Sequence, residues 1–167
     1  MSISSDFLAE LRHESNTTKK LLELVPFDKA EWAPHEKSMK LGRLARHVAD
    51  LPDWVNTTIT TDELDFAKSD SKPFNPQSNE ELIAHFNEHL KKAVVALENS
   101  TDELLQNPWT MRQAERVFFT LPKQAVLRDM CFNHFIHHRA QLGVYLRMLD
   151  IPLPGSYGPS ADTPNMM

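Results

Sequence analysis

An all-α domain, a four-helix bundle with a long middle connection, is the fold this sequence predicts, and three observations predict it. Only four glycines occur in 167 residues. Apolar residues recur at threes and fours instead of alternating. They gather in four long segments, two on each side of a polar connection, which is the arrangement of a helical bundle. A chain of this length buries enough surface around one core, so residues 1–167 read as a single domain.

The first helix covers about residues 4–24, with Phe7, Leu8, Leu11, Leu21 and Leu22 inward. It stops before Pro26, because the residue preceding proline disfavours helical backbone. Ser15 and Thr18 fall on the same inward face and make it partly polar. The second helix begins after Ser38, a good N-cap, and carries Leu41, Leu44, Val48, Leu51 and Val55. Pro52 is expected to kink it and to free a carbonyl near Val48. Residues 60–77 form a polar connection with two prolines, read as a surface excursion in preference to a lid. "SNEEL" opens the third helix with a capping box of Ser78 and Glu81, followed by Leu82, Phe86, Leu90, Val94 and Leu97. Residues 109–111 and 117–120 are β-prone and spaced for a small hairpin. The fourth helix starts after Pro122, runs to about Leu149 and ends before Pro152. Beyond it, Tyr157 and three prolines predict a tail ordered to about Asp162.

Charge and motif content exclude several functions. The 18 Lys and Arg against 23 Asp and Glu give a net charge of −5, and no basic run stands out, so nucleic acid is not an expected partner. The single cysteine forms no internal disulfide. No secretory leader and no apolar run near the ~20 residues of a membrane span can be read, so a cytoplasmic protein is expected. A glycine-rich phosphate loop, paired carboxylates on an apolar face and a G-x-S-x-G nucleophile motif are all missing from the pattern. Any chemistry therefore belongs to the histidines.

Three of the eight histidines crowd into "HFIHH" within the fourth helix. At about 100° per residue, Leu127, Cys131, His138, Leu142, Tyr145 and Leu149 fall within about 80° of His134, on one inward stripe. His138 sits mid-stripe, His134 at its edge, and His137 about 60° outside it. Two imidazoles four residues apart on one face have the spacing of a ligand pair. Two readings stand on this pattern: core histidines satisfied by hydrogen bonds, or ligands to a divalent cation that settles both lone pairs. A third ligand has to come from another helix, and His47, at the edge of the second helix's stripe, is the best candidate. His13 and His35 read as solvent-facing, and so do His85 and His89, a second pair at the same spacing. Cys131 reads as a small buried hydrophobe.

"KSMKLGRLARHVADLPDW", "FTLP" and "NHFIHHRAQLGVYLRMLDIPLPGSYGPSAD" resemble the DinB/YfiT-like family of metal-dependent four-helix-bundle proteins, from the first helix to the tail. The signature is one His in the second helix, then H-x-x-x-H followed by R-x-Q-L in the fourth. The resemblance implies that His47, His134 and His138 are ligands to one divalent ion, of which zinc, nickel and iron all suit three imidazoles. It implies His137 and Arg139 as neighbours, a homodimer and, as in some members, transfer reactions that use low-molecular-weight thiols. The function expected is a metal-dependent transferase that activates such a thiol for attack on a small electrophile, with Ser15 and Thr18 as pocket wall. The competing expectation is a non-catalytic metal or small-ligand binding protein related to stress.

Overall fold

Helix ends show how closely local chemistry sets this fold. The computed structural model describes residues 2–68 and 74–163. Helix α1 (Ile3–Leu22) begins at Ser2, whose hydroxyl accepts the Ser5 N–H, and buries Phe7, Leu11, Leu21 and Leu22. Helix α2 (Leu41–Thr60) takes no side-chain cap from Ser38. Its first free N–H groups go to the preceding loop instead: Leu41 N–H donates to the Trp32 carbonyl at 2.8 Å and Gly42 N–H to that of Ala30 at 2.9 Å. A Cβ at residue 42 would lie 3.0 Å from the Ala30 Cβ, so glycine lets the loop lie this close. α2 continues past the buried Pro52 without a break.

Residues 60–77 depart from the sequence reading, and residues 69–73 of that connection lie outside the described residues. Within it, β1 (Glu63–Asp65) pairs in parallel with β2 (Pro108–Gln113), which pairs antiparallel with β3 (Arg116–Pro122). The hairpin was legible; β1 was not. The expectation of an all-α chain is thereby corrected to a mostly helical protein with a small three-stranded sheet. The cause is a side chain that periodicity does not register: Asp65 accepts the N–H of Ala67 at 3.0 Å and that of Ala114, in the hairpin turn, at 2.9 Å. Ala114 has a positive φ of 50°, and the Asp65 contact offsets part of that cost.

Helix α3 (Asn79–Glu98) starts on the Ser78 cap, whose hydroxyl accepts the Glu81 N–H at 3.3 Å. The return arm of the box shifts by one residue, since the Glu81 carboxylate accepts the N–H of Gln77. A short α4 (Asp102–Gln106) precedes the hairpin. The last helical region comes in three pieces: α5 (Lys123–Val126), a π-helical stretch (Leu127–Asn133) and α6 (His134–Met148). The buried Lys123 ammonium donates to the carbonyls of Ile59 and Thr61 and so closes the C-terminus of α2.

The long helices share one interior, with α2 packed on α3 and α6, and α1 packed on the same two. Leu44, Val48, Leu51, Phe86, Phe135 and Leu142 fill one end, while Phe7, Leu11, Leu97, Leu105 and Phe132 fill the other. After α6 the tail folds back. Tyr157 meets Glu14 and Arg139, the Asp162 carboxylate pairs with Arg147, and Ser160 donates to the Leu153 carbonyl.

Candidate metal centre

α2 and α6 face each other, and their apolar stripes put three imidazoles at the seam. One ring nitrogen from each of His47, His134 and His138 lies within 4.8 Å of the other two. The Nε2 atoms of His47 and His134 are 3.2 Å apart. Tetrahedral ligand atoms about 2.1 Å from zinc stand about 3.4 Å from one another, so this edge is already the right length. His138 is buried, whereas His47 and His134 are half-buried, and His137 is exposed. The angular positions read from the sequence thus hold for all four.

The outer nitrogens fix how these rings present themselves. His138 Nδ1–H donates to Gln141 Oε1 at 2.7 Å, and His134 Nδ1–H faces the Met130 carbonyl at 3.3 Å. With a proton on Nδ1, each neutral ring turns an Nε2 lone pair inward. Burial and the neighbouring imidazoles hold all three pKa values down, that of His47 to about 4. For His47, burial is the largest cause, followed by His138, His134 and the guanidinium groups of Arg43 and Arg46. The rings are therefore neutral at pH 7 with converging lone pairs, which suits a divalent transition ion. Trp54 stands edge-on to His134 with centroids 5.7 Å apart and walls one side.

The π-helical stretch ends where this site begins. One wide turn carries Met130 and delivers its carbonyl to His134 Nδ1, a placement that a wheel of 100° per residue does not anticipate. His134 and His138 themselves lie in regular α-helix, which is why their four-residue spacing was readable.

A model of the DinB family matches residues 1–165. The chain belongs to that family. Among curated proteins this DinB-family chain is 27% identical over 160 residues to the uncharacterized protein YrdA of Bacillus subtilis strain 168, covering 93% of this chain and 89% of YrdA. Among solved structures it resembles a DinB-like protein from Bacillus cereus ATCC 10987, with TM-score 0.69, 23% identity, and 90% and 95% of the two chains covered. It also resembles the DinB-like protein YjoA of B. subtilis, with TM-score 0.70, 21% identity, and 90% and 97% covered. Those two likenesses concern the fold.

Other polar residues of this DinB-family chain are placed as follows by the structure. Thr18 is fully buried and its hydroxyl donates back to the Glu14 carbonyl at 2.9 Å, while the buried Ser15 hydroxyl has no protein partner. Cys131 is buried as expected, beside Thr58, and burial pushes its thiol up to about 12. Glu14, which follows the exposed Arg12 and His13, is buried and pairs with the buried Arg139. His85 and His89 are not surface histidines. His85 lies 2.6 Å from the Asp50 carboxylate of α2, and His89 keeps a buried Nδ1 without a partner. On the α3 stripe His89 falls at the edge and His85 outside it; the flank of α3 that bears them is the one that meets α2.

Proposed function

We propose that this chain is a metal-dependent thiol S-transferase in which His47, His134 and His138 hold one divalent ion, zinc, nickel or iron. The supporting observation is the open donor set: among the described residues, no fourth His, Cys, Asp or Glu joins the three imidazoles. Structural metal sites are normally closed by four protein ligands, and catalytic ones keep a position free. Two large clusters of buried apolar side chains fill the two ends of the interior without using any of the three histidines, so folding gives no reason for an ion. A bound divalent cation supplies Lewis acidity that lowers the pKa of a coordinated thiol toward neutrality.

The protein's own groups do the positioning. Gln141 and the Met130 carbonyl fix the tautomers of His138 and His134, and Trp54 packs perpendicular to the His134 ring. Cys131 cannot be the nucleophile, because its thiol is buried and held at about 12. The thiol therefore comes from a small molecule. With 1-chloro-2,4-dinitrobenzene as electrophile, the thiolate sulfur bonds the ring carbon, chloride leaves, and the thiol proton passes to solvent. The test is to assay metal-loaded and metal-free protein with a panel of small thiols at pH 7. Metal-dependent turnover with at least one thiol supports the proposal; none with any thiol overturns it.

One observation favours a non-catalytic metal or small-ligand binding protein. An open surface groove of about 730 Å³, along α2, α3 and α4, has an apolar floor of Ile59, Val95, Ala96 and Leu104 with Glu88 and Lys92 among its polar lining, and none of the three histidines reaches it. On that reading the thiol panel gives no turnover, and a small apolar ligand is bound there.

A further inference from the structure

Beyond the three-histidine cluster, we propose a second site for a divalent first-row transition ion, formed by Asp50 of α2 with His85 and His89 of α3. One ligand atom from each of the three lies within 4.8 Å of the others. The two histidines are four residues apart on one face of α3, with ring centroids 4.1 Å apart. Asp50 approaches from the facing helix, its Oδ1 2.6 Å from His85 Nε2.

Three features separate this cluster from an ordinary buried ion pair. First, the Asp50–His85 contact leaves His89 out: its Nδ1 is buried with no protein partner, an arrangement that is unfavourable when nothing else compensates. A cation shared by the three residues satisfies it. Second, the charges nearby suit a cation. Asp50 and Asp53 both act on His89, against Lys92 alone from its own helix, while Arg46 Nε stands 3.8 Å from the other Asp50 oxygen. Burial and His85 keep His89 neutral, as a nitrogen ligand must be. Third, the site is walled. Phe74 stacks on the His85 ring at 4.3 Å, and its carbonyl accepts a hydrogen bond from Arg46.

Two imidazole nitrogens and one carboxylate oxygen suit zinc, iron, cobalt or nickel, whereas calcium and magnesium take oxygen ligands. Binding takes the place of the Asp50–His85 hydrogen bond and widens that contact by less than about 1 Å to reach a ligand–ligand edge. Three protein donors leave coordination open for water. α2 thus carries a ligand to each cluster, His47 and Asp50, three residues apart.

The test is a metal count on full-length, tag-free protein stripped with chelator and titrated with cobalt(II), read by absorption spectroscopy and elemental analysis. Two ions per chain are expected for the natural sequence. His138→Ala should retain one, His89→Gln should retain one, and the double variant none. Asp50→Asn should weaken the second site by at least about 100-fold, since even residues behind the ligands typically contribute 10–100-fold. Circular dichroism establishes that each variant is folded. A folded His138→Ala protein that binds no cobalt overturns the proposal, as does a double variant that keeps an ion. Loss of thiol turnover alone leaves this count unchanged, so the two proposals fail separately.

Discussion

His138 and Arg139 are neighbours in α6, yet each anchors a polar cluster of opposite character. Arg139 is buried against Glu14, and Tyr157 joins them, its hydroxyl donating to Glu14 and accepting from Arg139. That cluster balances its charge within the chain. His138 belongs to the other kind: three neutral rings gathered at one point, with the outer nitrogens of His134 and His138 already committed. The first is closed by the chain's own charges; the second is a set of donors that a cation would join. Burial alone therefore does not separate a structural polar group from a functional one. What separates them is whether the protein itself supplies the last partner.

This contrast breaks down most visibly if the first cluster is dispensable. Glu14→Ala leaves a buried guanidinium without its carboxylate and should destabilise the protein by about 3–5 kcal/mol, measured by urea unfolding. The folded fraction should still bind metal at the histidines. A change under about 1 kcal/mol would show that the Arg139 cluster is not structural in this sense.

Gln141→Ala sharpens the other side. It removes the acceptor that fixes the His138 tautomer without touching a ligand, and metal affinity should fall by about 10–100-fold in a competitive chelator titration, with stability of the metal-free protein little changed. Unchanged affinity would show that the outer hydrogen bond does not orient the ring.

The smallest effect is on pH dependence. His47 titrates at about 4 in the folded chain and 6.5 when unfolded, and His134 and His138 are shifted in the same direction. Between those values the unfolded chain binds more protons, so stability of the metal-free protein should rise with pH from about 4 to 6.5 and fall away as the solution is acidified through that window. Because the rings are partly exposed, the slope is modest. His47→Gln should flatten it, as followed by thermal unfolding across the range.

Much of this was legible in the residues. The long helices follow from apolar spacing, the Ser78 cap from its motif, and the hairpin from β-prone pieces around a short turn. His47, His134 and His138 were legible because a four-residue step on a regular helix keeps its face. What escaped notice rests on pairings between distant segments. β1 is three residues long and depends on Asp65 reaching the hairpin turn at Ala114. The π-helical stretch alters the angular step before His134. Glu14 and Arg139 are buried only because they meet across the interior, and His85 is half-buried because Asp50 faces it from α2. Periodicity reports which face of a helix turns inward; it does not report which polar groups find one another there.

The central claim is that the α2–α6 seam, with ligands from both helices, is a metal centre. Its most direct test is the cobalt(II) spectrum and metal content of His138→Ala beside His137→Ala, two neighbouring histidines of which one faces the cluster and one faces solvent. The account predicts that His138→Ala loses one ion per chain and its absorption bands, while His137→Ala keeps both. Equal loss in the two variants, or retention in both, would contradict it.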